Sequence, residues 1–200
     1  MTVRSRLIFV LSTILAACIL AGGVLVLRAF ETPPAPTETA TATPIGGAFT
    51  LMDETGKTVT NETYKTPYKL LFFGFTHCPS ICPTELLKMA DVLTGLGDRA
   101  NKITPLFISI DPARDTPSEL AAYTNHFDDR IIGLTGTQDQ IDAVVRAFKA
   151  YAARVNTENG DYTMDHSGFM YLTDHDNHLI KLYRLDDSAD TILADLKRRL

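Results

Sequence analysis

The chain has 200 residues, of which 45% are hydrophobic and 22% charged, and its formal net charge is -5. Those proportions suit a globular domain of ordinary size and exclude a fibrous or wholly disordered chain. The acidic balance argues against a nucleic-acid binder, and three cysteines are too few for a disulfide-stapled miniprotein.

Residues 7–27 carry no charged side chain. As a helix this run reaches about 30 Å, the hydrocarbon thickness of a bilayer. Arg4 and Arg6 precede it, so the positive-inside rule predicts a cytoplasmic tip over residues 1–6 and a transmembrane anchor over 7–27. The rest of the chain is then expected in the periplasm, held at a bacterial inner membrane. Leu15-Ala16-Ala17-Cys18 offers a rival, because it resembles a lipobox in which Cys18 is acylated. Against it, the apolar run continues through Leu27. Residues 28–47, rich in Pro and Thr, cannot bury enough surface to offset ordering and are expected to be a linker.

Residues 48–200 read as one domain that alternates strand and helix. Phe49–Met52, a turn at Asp53–Gly56 and a return through Val59 predict an N-terminal hairpin. Tyr68–Phe75 and Ile103–Ile110 are nearly unbroken apolar runs, as expected of strands covered on both faces. Helical spacing predicts helices over Pro83–Leu96, Pro117–Phe127 and Thr137–Tyr151, with a short strand at Ile131–Leu134. Asn159-Gly160 marks a hairpin between two polar strands. A second hairpin is expected from Phe169–Thr173 and Leu179–Tyr183, and a helix over Ile192–Leu200 closes the chain. A βαβ unit followed by a hairpin and a helix is an α/β, thioredoxin-like fold, here with the N-terminal hairpin added.

Cys78 and Cys82 stand in GFTHCPSICPTEL, after the first buried strand and before its helix. Ligands bind at the carboxyl ends of strands in such sheets. Cysteines four residues apart at a helix start suit either a disulfide when oxidised or two thiolates on one metal. The helix N-terminus favours the thiolate form. Two cysteines do not complete a structural zinc site, and Pro83 stands where a haem-attachment motif needs histidine. Copper(I) accepts two thiolates and one imidazole. Five histidines could supply the imidazole. His126 falls at a helix end, His175 and His178 in a hairpin turn, and His77 beside Cys78. His166 lies in Met164-Asp165-His166-Ser167-Gly168, a loop entering the strand at Phe169, where it could face the cysteine turn. A peroxidase is disfavoured, because Thr76 lacks the upstream proline that peroxidatic sites use.

Three blocks, GFTHCPSICP, the run Asp111-Pro112-Ala113-Arg114-Asp115-Thr116-Pro117, and Asp165-His166-Ser167 before Tyr171-Leu172, appear in an order that resembles the Sco/SenC family. The resemblance covers roughly residues 45–200. It implies a membrane-tethered, thioredoxin-fold copper protein, a delivery protein rather than an enzyme, which assists assembly of the CuA centre of cytochrome c oxidase. Carried over by position, it makes Cys78, Cys82 and His166 the copper ligands, and gives the Asp111–Pro117 block a supporting role. The implied partners are the copper-bearing oxidase subunit, an upstream copper donor and a thiol reductant. The alternative is a thiol–disulfide reductase that keeps an acceptor's cysteines reduced; that chemistry has no need of His166.

Overall fold

The computed structural model describes residues 44–200; the expected anchor, Cys18 and the linker as far as residue 43 lie outside the described residues. Among the described residues no helix is long and apolar enough to cross a membrane. A seven-stranded mixed sheet forms the body of the domain, and a separate two-stranded ribbon carries part of the site.

At the centre of the sheet lie β3 (Tyr68–Gly74) and β4 (Ile103–Ser109), paired in parallel from Tyr68 opposite Ile103 to Gly74 opposite Ser109. Every residue of the two is buried except Tyr68, which explains the missing polar alternation in both runs. Full burial of side chains such as Phe72, Phe73 and Phe107 stabilises the fold by about 1.5–3 kcal/mol each. Beyond β4 come β5 (Ile132–Thr135), then β1 (Thr50–Asp53) and β2 (Thr58–Thr60), which pair antiparallel with Leu51 opposite Val59. On the other side β8 (Met170–Asp174) runs antiparallel to β3 and is followed by β9 (Leu179–Tyr183).

Helix α1 (Ile81–Leu96) follows β3, α2 (Pro117–Asn125) follows β4, and α3 (Gln138–Ala147) follows β5; α4 (Ala189–Arg199) ends the chain. Thr116 and Thr137 each accept the backbone N–H three residues on, and Glu119 and Gln140 return the favour, so α2 and α3 open with capping boxes. Helix α3 stops at Ala147, four residues short of the span its pattern predicts. Lys149 adopts a left-handed φ of 50° and turns the chain into β6 (Ala152–Asn156). Strand β6 pairs antiparallel with β7 (Tyr162–His166) around the Asn159-Gly160 turn, where Gly160 has φ 79°.

The register fixes two ends of the molecule. Gly74 and Met170 mark one end of β3 and β8, while Tyr68 and Asp174 pair at the other. The cysteine turn follows Gly74. The residues that enter the domain lie at the far end, where Gly46 bridges to His178 and the Gly47 amide donates to the Asn177 carbonyl at 2.9 Å.

Candidate metal centre

Helix α1 begins at Ile81, two residues before the position its proline suggests, so Cys82 sits in its first turn. Its N-cap, Ser80, makes no side-chain cap. Instead the Cys82 amide donates to Cys78 Sγ at 3.4 Å, and the sulfur does the work of the capping oxygen. The Cys78 amide in turn donates to the Phe75 carbonyl at 3.2 Å, which closes the turn leaving β3. Backbone geometry thus places Cys78 sulfur against the positive end of α1, where a thiolate is favoured.

His166 comes from a different part of the chain. It was expected in a loop; it is the last residue of β7, paired with Ala152. Ribbon formation by β6 and β7 takes up that segment, and the loop into β8 is only Ser167–Phe169. The imidazole stands edge-on to Phe72 and Phe75, with ring centroids 6.0 and 5.8 Å away. Nδ1 lies 3.0 Å from the Ser167 carbonyl, which can only accept, so Nδ1 carries a proton and Nε2 is the nitrogen turned to the sulfurs. Nε2 is 3.5 Å from Cys82 Sγ.

The two sulfurs and the imidazole nitrogen all lie within 4.8 Å of one another. Both cysteines are free thiols. Cys82 is fully buried, Cys78 is 9% exposed and His166 is half-buried, so the cluster meets solvent along its Cys78 and His166 edge. Their ionisation is polarised. The hydrogen bond with Cys82 pulls the Cys78 thiol down, burial opposes it, and His166 and the Cys82 amide pull it down further. That same hydrogen bond, with burial, pushes the Cys82 thiol far up. Burial pulls the His166 imidazole down, but Cys78 and the Ser167 carbonyl more than offset it and leave it raised. Two soft donors and one borderline nitrogen form a set suited to a soft cation.

The other histidines do not join this cluster. His77 is exposed, with Nδ1 3.0 Å from Thr76 Oγ1, and His126 is the exposed C-cap of α2. His175 and His178 lie at the opposite end of the sheet, beside Asp176 and Asp174.

Several supporting residues escape sequence reasoning. A Cβ on Gly74 would sit 2.6 Å from Cys82 Sγ and 2.8 Å from Phe107 Cε2, so only glycine admits the sulfur. A glycine at the end of an otherwise unbroken apolar strand was the available signal. Asp115, fully buried, accepts from Thr76 Oγ1 and Ser109 Oγ, each at 2.6 Å, and ties the end of β4 to the cysteine turn. Burial nonetheless leaves its carboxyl raised above the ordinary value. Arg114 pairs with Asp111, donates to the Tyr162 carbonyl at 3.0 Å and lies 3.8 Å over the Tyr162 ring. Tyr162 OH donates back to Asp111 at 2.9 Å. Asp111, Arg114 and Tyr162 therefore clamp the ribbon that carries His166.

The sequence profile described as SCO1/SenC matches residues 37–200. The chain belongs to the SCO1/SenC family. It is 44% identical over 155 residues to the SCO2-like protein of Rickettsia felis, covering 76% of each chain. The solved structure of Bradyrhizobium japonicum ScoI with copper bound is 43% identical with a TM-score of 0.72, covering 78% of this chain and 99% of that one. The structure of BsSco, a Sco-family cytochrome c oxidase assembly protein with a disulfide switch, is 28% identical with a TM-score of 0.59; the match covers 78% of this chain and 94% of BsSco. Those likenesses bear out the thioredoxin-like α/β fold.

Proposed function

We propose that this SCO1/SenC protein is a copper metallochaperone, which holds copper through Cys78, Cys82 and His166 and passes it to the CuA-bearing subunit of cytochrome c oxidase. One observation carries the reading: an exchange-active dithiol needs no imidazole, yet His166 turns Nε2 onto the cysteine pair. Copper(I) entry at the Cys78 thiolate displaces the Cys82 proton to solvent, and the Nε2 lone pair completes the set, so three donors replace the hydration shell. Release occurs by ligand exchange along the Cys78 and His166 edge, where the cluster meets solvent. The bound copper of the Bradyrhizobium relative supports the cargo, and the role stated for BsSco supports the destination. The uncharged run over residues 7–27 supports an inner-membrane anchor with the domain in the periplasm. In that oxidising compartment an outside reductant must keep both thiols reduced.

A second reading rests on the polarised pair. A Cys78 thiolate that is the less buried of the two sulfurs, beside a fully buried Cys82 thiol, suits attack on an acceptor disulfide. Cys78 would form a mixed disulfide, Cys82 would resolve it, and the acceptor would leave with two thiols and two electrons.

Copper titration of the reduced chain separates the two. The chaperone reading expects one copper per chain, protection of both cysteines from alkylation, and a melting temperature that rises with free copper. His166→Ala should weaken copper strongly while leaving both thiols and the fold in place. A reduced chain that takes up no copper yet reduces an acceptor dithiol would establish the reductase instead.

A further inference from the structure

The described domain carries more acid than base: residues 44–200 hold twenty-two Asp and Glu against sixteen Lys and Arg. Its basic side chains are unevenly placed. The short helical turn Gly97–Lys102 leads from α1 into β4 and lies beside the end of α4. Arg99 Nη1 donates to the Lys197 carbonyl at 3.3 Å, and Lys102 Nζ donates to the Leu200 carbonyl at 2.7 Å. Those bonds gather Arg99, Lys102, Lys197, Arg198 and Arg199 on one face, and all five are exposed. Among the described residues Arg99, Lys102 and Lys197 form no ion pair, while Arg198 and Arg199 share Asp195. With Asp98 and Asp195 counted, bases on this face still outnumber acids five to two. Strand β3 separates it from Asp174 and Asp176 on the turn after β8, each of which lies near a histidine. Basic residues in the last turn of a helix offset its dipole, which accounts for Lys197, Arg198 and Arg199. It does not account for Arg99 and Lys102, which converge on them from another element.

Position gives this face a partner. It lies at the base of β3 and β4, where Tyr68 OH donates to the Arg199 carbonyl at 3.4 Å. The chain enters the domain at that same end, with Gly46 bridged to His178. Sixteen residues, 28–43, separate this entry from the uncharged run over 7–27. A chain of that length reaches at most about 55 Å. A bilayer held so near is a constant neighbour, and a tether turns a weak surface contact into an intramolecular one. We propose that Arg99, Lys102, Lys197, Arg198 and Arg199 form a docking surface for anionic lipid headgroups of the membrane that anchors the chain. Each basic side chain near such a surface strengthens binding about fivefold, and salt screens the attraction. The choice of lipid rests on the proposed anchor over residues 7–27; the charge cluster does not.

The chain has no tryptophan, so Ala194→Trp at an exposed position of α4 provides a single reporter. The full chain carrying it is reconstituted in phosphatidylcholine vesicles, with or without a third of the lipid replaced by phosphatidylglycerol. Both preparations contain a trace of dansyl-labelled headgroups. Energy transfer from the reporter to those headgroups should rise in the mixed vesicles. About 1 M salt, where the screening length is about 3 Å, should remove the rise. Arg99→Gln, Lys102→Gln and Lys197→Gln together should weaken surface binding about 100-fold and remove it at low salt. Arg184→Gln, just past β9 at the cysteine-turn end of the sheet, should leave transfer unchanged. Equal transfer in the two lipids, or a rise that survives the triple substitution, overturns the proposal. Should the triple variant lose its helical circular dichroism, Lys197→Glu takes its place, and an undiminished rise there is equally fatal. A failed anchor has a separate signature: alkaline carbonate would strip the chain from pure phosphatidylcholine vesicles. Sedimentation of the same variants with the mixed vesicles would then test the face by itself.

Discussion

The two cysteines and the histidine of the candidate metal centre stand on unlike foundations. Cys78 and Cys82 hang from β3 and α1, whose inner faces are among the most completely buried parts of the molecule. His166 ends a two-stranded ribbon on which no residue is buried. A core packed at crystal-like density leaves the thiols little freedom, whereas a ribbon fastened by a few polar contacts can shift. The difference assigns roles. The sulfurs form a fixed floor, and the imidazole closes over it from an adjustable arm.

The strongest way to break that division is to deform the floor. Gly74→Ala places a methyl group against Cys82 Sγ and Phe107, and overpacking of this kind costs about 1–3 kcal/mol. Urea unfolding should show a lower midpoint at unchanged slope, and copper binding should fall with it. Loosening the arm should have the opposite balance. Arg114→Ala removes the ion pair with Asp111, the bond to the Tyr162 carbonyl and the stacking on the Tyr162 ring. Copper affinity is expected to drop about 10–100-fold in a competition titration with little change in the urea midpoint. Arg114→Lys should not restore it, because an ammonium neither stacks nor forks. If Gly74→Ala and Arg114→Ala lower stability and affinity in the same ratio, floor and arm are not distinct.

A finer cut is Tyr162→Phe, which keeps the ring between Arg114 and Arg154 and deletes only the hydroxyl bond to Asp111. The expected cost is about 0.5–1.5 kcal/mol, read as a change in hydrogen-exchange protection confined to β6 and β7. The smallest effect belongs to acid. Asp195 on α4 accepts from Arg199 and Tyr183 at 2.9 and 2.8 Å. Burial pushes its carboxyl up, but Arg199, Tyr183 and Lys181 outweigh that and hold it well below the usual carboxylate range. A depressed acid stabilises fully above its ordinary value near 3.8 and loses that contribution as pH falls below it. The stability gap between the parent chain and Asp195→Asn should be widest at pH 7 and should narrow in acid, without altering the arm.

Residues whose role is local were legible in the sequence. The apolar runs at Tyr68–Phe75 and Ile103–Ile110 became β3 and β4, and the spacing of Cys78 and Cys82 placed them at a strand-to-helix turn. Element ends were less legible. The pattern of α3 runs on past Ala147, and nothing local announces that Lys149 takes a left-handed conformation. Contacts between distant segments were not legible either. Arg114 and Tyr162 are 48 positions apart, and the Arg114 clamp on the ribbon has no periodicity to betray it. The Asp111–Pro117 block was read as supportive, but neither its grip on the Cys78 turn through Asp115 nor its grip on the ribbon through Arg114 follows from spacing. A loop reading already set His166 ahead of the other four histidines, and the family resemblance strengthened that choice.

The far end of the sheet gathers both extremities of the described domain. Ile45 to Gly47 are stitched there to Asn177, His178 and Leu179. The final residues of α4 reach Tyr68 and Lys102, which also belong to that end. Asn177 is buried with φ 69°, and its carbonyl leaves no room for a side chain at Gly46. The contacts that fasten both extremities are made at the base of β3, β8 and β9, away from the cysteine turn. Within the described residues the Cys78–Cys82 turn and the Ile45–Gly47 entry thus stand at opposite ends of β3 and β8.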